Sequence, residues 1–132
     1  MQRRPSGRHG TERWRPRQAG SPLQIAVSDK LIVFVTSANV AEAEVIARAL
    51  VENRLAACVN IVPQVRSIYR WEGKVEDSAE CLLLVKTSRA LFEQVRAEVQ
   101  RLHSYQVPEV VAVPIEQGAE NYLAWLSDSL RH

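Results

Sequence analysis

Two long β-patterned runs face each other across Glu72-Gly73, and no other feature of this chain restricts its fold as much. AACVNIV (56–62) leads into Pro63, VRSIYRW resumes at Val65, and KVEDSAECLLLVKT returns from the turn to Thr87. Arms of about fifteen residues would each span roughly 50 Å if straight. A sheet in a domain of about a hundred residues uses about half of that. The hairpin must therefore bend at Pro63, project from the sheet, or both, because proline inside a strand pattern marks an edge or a bulge. Ile68, Tyr69 and Trp71 stand near its tip. Unpaired strand edges and exposed aromatic side chains are liabilities that a partner removes. The arm predicts an oligomer joined partly by strand addition.

The remaining elements follow from periodicity. LIVFV (31–35) is a continuous apolar run, which predicts a strand buried on both faces. Thr36, Ser37 and Asn39 can each cap the helix that follows. In VAEAEVIARALVENRL, Val40, Ala43, Ala47 and Leu50 share a face with Ile46 beside them, and Asn53 suits the C-terminal end. CLLLV (81–85) predicts a second fully buried strand centre. Ser88 is placed to cap RALFEQVRAEVQRLH, whose stripe is Leu91, Phe92, Val95, Val99 and Leu102. EVVAVPI (109–115) reads as a fourth strand, and Gly118 separates it from AENYLAWLSDSL, a short helix anchored by Tyr122, Trp125 and Leu126. The order β-α-β-β-α-β with a C-terminal helix predicts an α+β, ferredoxin-like domain with helices on one face of an antiparallel sheet.

The charge divides the chain in two. Residues 1–28 hold six arginines and one glutamate, a charge of +5, while residues 29–132 carry −3. The first segment lacks an apolar period and is rich in Gly, Pro and Arg, which predicts a disordered extension ahead of a single folded domain, 29–132. A net-acidic domain, without basic and aromatic residues interleaved in its third strand, argues against a nucleic-acid partner. The chain has no run of about 18 apolar residues, so no membrane span is expected. Cys58 and Cys81 each sit in an apolar run, and two cysteines make no disulfide framework. Both read as reduced, buried thiols of a cytoplasmic protein.

Few residues carry recognisable chemistry. The chain has no phosphate-cradling glycine loop, no nucleophile elbow, no C-x-x-C and no H-E-x-x-H. An enzyme is not expected. Cys58 reads as a small hydrophobe or a ligand, Trp71 as an oligomer contact or a site wall, and Lys86 as a snorkelling cation or an anion holder. Tyr105 reads as a packed loop residue with one hydrogen bond to give. His103 lies at the C-terminal end of the second helix, where a cation meets the negative end of the dipole. Glu109 enters the fourth strand directly after Pro108.

LVENRLAACVNIVP, SIYRWEGKVEDSAECLLLVKT, LHSYQVPEVVAVPIEQG and YLAWL closely resemble the CutA divalent-cation tolerance family, over residues 30–130. The resemblance implies a ferredoxin-like subunit in an interlocked homotrimer that pairs its long hairpins around a three-fold axis. It implies a cytoplasmic protein of divalent-metal tolerance, copper foremost, with weak metal binding and no obligatory cofactor. Carried over by position, the ligand cleft between subunits would include Cys58, Trp71, Lys86, Tyr105 and Glu109. Copper-binding relatives place a cysteine and a second histidine where this chain has Val35 and Leu102. The metal residues implied here are therefore His103 and Glu109, an N/O set suited to copper or zinc. The alternative is a regulatory module like the PII signalling proteins, with Lys86 meeting a small anionic metabolite in the cleft.

Overall fold

The computed structural model describes residues 28–132. The reading of residues 1–28 as an extension therefore falls almost wholly outside the described residues. The elements come in the predicted order: β1 (Lys30–Ser37), α1 (Val40–Glu52), β2 (Cys58–Trp71), β3 (Lys74–Ser88), α2 (Phe92–Leu102), β4 (Val110–Pro114) and α3 (Glu120–Ser129). They form a four-stranded antiparallel sheet, ordered β2-β3-β1-β4.

Burial alternates along β1 and β3, which corrects the expectation of strands buried on both faces. Leu31, Val33 and Val35 are buried, whereas Ile32 and Phe34 are only half-buried. Likewise Cys81, Leu83 and Val85 are buried, and Leu82 and Leu84 are not. The core lies on one face of the sheet, where Val33 opposes Val85 and Val35 opposes Leu83 under the helices. The other face presents Ile32, Phe34, Leu82 and Leu84, and its fourth strand adds Val111 and Val113. An antiparallel sheet normally turns such a face to water and makes it polar. Here it is apolar, and none of the described helices covers it.

Asn39, of the three residues able to cap α1, does so: its side-chain oxygen accepts from the Glu42 N–H at 2.8 Å, and Glu42 Oε1 accepts from the Ala38 N–H at 3.2 Å. Ala43, Ile46, Ala47 and Leu50 are buried, but Val40 in the first turn is 43% exposed, outside the predicted face. The helix ends at Asn53, and Arg54 follows with φ 59°, a left-handed conformation usually left to glycine. The Arg54 guanidinium donates to the Asp128 carbonyl at 2.6 Å, and its own carbonyl accepts from the Arg131 N–H at 2.9 Å. The C-terminal helix thereby holds the turn in place.

Ser88 does not cap the second helix. It is the last residue of β3, paired with Lys30, and its side chain makes no capping bond. The ladder holds Ser88 extended, and the chain enters α2 through a 3-10 turn, Arg89–Leu91. Leu91, Val95 and Val99 are buried, with Phe92 and Leu102 at the margin of the core. Leu126 and Leu130 bring α3 onto the same core, and Tyr122 and Trp125 pack beside them with ring centroids 5.4 Å apart.

The hairpin has both features expected of it. β2 is an edge strand, and its register with β3 shifts between Val62 and Val65, on either side of Pro63. Proline has no N–H for the ladder, and the Cys81 thiol donates to the Pro63 carbonyl at 3.1 Å. Beyond the bulge the ladder runs unbroken to Trp71 opposite Lys74. Glu72 and Gly73 both have positive φ, as a type I′ turn requires. Ile68 and Val75 near the tip are 64% and 65% exposed.

Candidate functional site

The end of β1, the loop after α2 and the long arm together enclose a cavity of about 380 Å³. Thr36 comes from β1, Tyr69, Trp71 and Glu80 come from the arm, and Tyr105 through Val107 with Glu109 come from the loop. Opposed residues of an antiparallel pair point to the same side. Tyr69, Trp71 and Glu80 therefore continue the row of Leu82 and Leu84, and the cavity opens at the edge of the uncovered apolar face. The lining includes two carboxylates and no lysine or arginine.

The loop is held by His103. Its side chain is fully buried at the C-cap of α2. Nε2 lies 2.7 Å from the Thr36 carbonyl, and Nδ1 accepts from the Tyr105 N–H at 3.0 Å. A carbonyl only accepts, so these partners together assign the hydrogen to Nε2. Both ring nitrogens are then engaged. The Tyr105 ring packs 4.7 Å from the imidazole, centroid to centroid. Glu42 closes the back of the loop, with Oε2 accepting from the Ser104 N–H at 2.7 Å and Oε1 3.9 Å from His103 Nδ1. Burial works to raise the Glu42 pKa, but hydrogen bonds from Ser104 and the Ala38 N–H outweigh it and hold the carboxyl below its usual range.

Tyr105 and Glu80 form the polar centre of the cavity. The phenol donates to Glu80 Oε2 at 2.7 Å, while Glu80 is only 8% exposed. A hydrogen bond to a charged group contributes about 2 kcal/mol, and the loss of one partner here would leave a buried carboxylate uncompensated. Burial first, and then the neighbouring Glu80 carboxylate, push the Tyr105 phenol well above its ordinary value of 10.0. On the arm, Tyr69 Oη lies 3.2 Å from Ser78 Oγ, and Arg66 pairs with Asp77 at 2.7 Å on the opposite side of the ladder.

The structure brings three of the sequence-predicted residues, Trp71, Tyr105 and Glu109, to this cavity. His103 sits behind it. Cys58 and Lys86 are elsewhere: they oppose each other at the start of β2, six positions along β3 from Glu80, or about 20 Å. Lys86 Nζ donates to Asn60 Oδ1 at 2.6 Å, and Cys58 is half-buried rather than fully buried. Among the described residues no three His, Cys, Asp or Glu side chains cluster as metal ligands. The residue missed by sequence reasoning is Glu80. Its signal was phase: it is an acid in register with Leu82 and Leu84, where an apolar row would otherwise continue.

Among the described residues no helix is long and apolar enough to cross a membrane. The family described as CutA1 divalent ion tolerance protein matches residues 31–129. The divalent-cation tolerance protein CutA of Thermus thermophilus is 51% identical over 98 residues, covering 74% of this chain and 95% of that protein. Protein CutA of Homo sapiens is 50% identical over 93 residues, 70% of this chain but only 52% of the human protein. The chain thus spans about half the length of that relative, and likewise of the chloroplastic CutA of Arabidopsis thaliana, which is 45% identical. Among solved structures, the Thermus thermophilus protein superposes with a TM-score of 0.76 at 49% identity, covering 77% of this chain and 99% of that one. CutA1 of Oryza sativa gives 0.77 at 43% identity, with 80% and 96% covered. The family match extends through the long arm and the cavity loop, and the solved relatives share the fold: this chain belongs to the CutA1 divalent ion tolerance family.

Proposed function

We propose that this chain is the ferredoxin-like subunit of a cytoplasmic homotrimer that serves divalent-cation tolerance, copper foremost, by weak metal binding beside clefts between subunits. One observation carries the reading: an acid-lined cavity opens at the rim of an apolar sheet face that the described residues leave uncovered. The face and the exposed arm supply the reason to assemble. The carboxylates supply the preference for cations.

The metal residues in this reading are His103 and Glu109. Imidazole nitrogen with carboxylate oxygen suits copper and zinc. An ion reaching His103 must displace the Tyr105 N–H from Nδ1 or the Thr36 carbonyl from Nε2, a cost that keeps the affinity low. The role is binding rather than catalytic. Cys58 lies about 20 Å from the cavity, opposite Lys86, and His103 is committed to backbone partners. The two unpaired cysteines suit a reducing compartment. The alternative, a small anionic metabolite bound by Lys86, fits less well, because Lys86 is bonded to Asn60 away from the cavity.

Isothermal titration of Cu²⁺ and Zn²⁺ into the full chain tests the reading, with His9 replaced throughout, beside His103→Gln and Glu109→Gln. Binding at about one ion per chain that weakens about tenfold in either variant supports it. Unchanged binding in both variants removes the metal assignment. Light scattering on the same samples gives three times 14.9 kDa if the trimer is right.

A further inference from the structure

The cavity suits a different ligand better than a bare ion. Its volume of about 380 Å³ lies in the lower part of the range for small-molecule pockets, roughly 300–1,000 Å³. Three aromatic side chains line it, Tyr69, Trp71 and Tyr105, together with the apolar Val107. A hard divalent ion instead asks for several converging oxygens at short range. The lining holds two acids, Glu80 and Glu109, and no lysine or arginine.

Glu80 gives the strongest indication. It is more than nine-tenths buried, and its Oε2 accepts from Tyr105. Its Oε1 accepts no hydrogen bond from the described residues. A buried carboxylate oxygen without a donor is costly, and a ligand N–H removes that cost. Aromatic rings beside the carboxylates favour a cation through their quadrupoles and hold an apolar body at the same time.

We infer that this cavity binds a protonated primary amine carried on a compact apolar or aromatic body. The ammonium group donates to Glu80 Oε1, the Glu109 carboxylate at the loop adds a second negative charge, and the body lies among Trp71, Tyr69 and Val107. A metabolite anion is repelled by the same two acids. The inference goes beyond the metal reading and does not rest on it, since His103 takes no part.

The test titrates the full chain with phenethylammonium, with 3-phenylpropanoate as the matched anion and 2-phenylethanol as the neutral analogue, by calorimetry and tryptophan fluorescence. The expected result is saturable amine binding at one per chain, with anion and alcohol each weaker by about tenfold or more. Glu80→Gln and Glu109→Gln should each weaken the amine, Glu80→Gln by about tenfold, and Trp71→Leu by about threefold. Glu109 and Trp71 are exposed, so their variants report even if Glu80→Gln misfolds. Equal binding of amine and alcohol, or no amine binding at millimolar concentration, overturns the inference. Copper titration of the same samples separates the two readings. Metal bound without amine leaves only the metal proposal, and amine bound without metal leaves only this one.

Discussion

His103 ties three segments together: the end of α2, the Thr36 carbonyl at the end of β1, and the Tyr105 N–H in the cavity loop. If its role is that clamp, His103→Ala should cost about 2–4 kcal/mol in urea unfolding at fixed protein concentration, because it leaves a buried carbonyl unpaired and a void. A residue serving only as a metal ligand would cost little without metal. Tyr105 offers a second check. Its folded pKa is raised, so its contribution to stability is complete below the ordinary value of 10.0 and is lost as pH rises through the folded value. An alkaline titration followed by phenolate absorbance should show one late-ionising tyrosine, absent in Tyr105→Phe. Glu42 has the opposite sign. Its folded pKa is lowered, so its contribution is present above the ordinary value of 4.5 and disappears as pH falls through the folded one. Glu42→Gln should flatten the acid limb of the stability profile. Of these residues, sequence singled out His103 and Tyr105 but not their contacts. The partner atoms belong to Thr36, 67 positions away, and to Glu80, 25 positions away. Separations of that size carry no local signal.

At the scale of elements, period and turn chemistry made most of the fold legible. The Glu72-Gly73 turn is where the sequence puts it, and Gly73 has φ +81° with open space where a Cβ would sit. Gly73→Ala should therefore cost about 1–2 kcal/mol through backbone strain alone, with Gly73→Asn cheaper, as thermal unfolding would record. Asn39 was readable as one of three possible caps, and Asn39→Ala should cost about 1 kcal/mol. Two readings failed for identifiable reasons. An apolar run such as LIVFV looks the same whether a helix or another subunit covers its second face, so β1 was expected to be buried on both sides within the chain. Ser88 has the right composition for a cap, but its pairing with Lys30 keeps it in the ladder.

At the scale of the whole molecule, the residues Ile32, Phe34, Leu82, Leu84 and Val111 form an apolar row on the sheet face away from the core. If it is the trimer contact, Phe34→Asp or Leu84→Asp should yield monomers by light scattering while leaving far-UV circular dichroism largely intact, since neither side chain is in the covered core. A folded variant that remains trimeric would move the contact to the arm alone. Sequence could foresee the long hairpin and its break at Pro63. It could not foresee the cavity, which needs the arm and the loop after α2 in one place.

Pro63 has a consequence for misassembly. β2 is an outer strand of fourteen residues, and such an edge is a template on which identical chains stack into fibrils. The break at Pro63 divides its regular pairing into Cys58–Val62 and Val65–Trp71. The first piece is shorter than the roughly six-residue segments that form steric zippers. The second carries Arg66 and Arg70, whose charges would align and repel in a register-matched stack. A newly made chain is thereby protected from polymerising along its own outer strand.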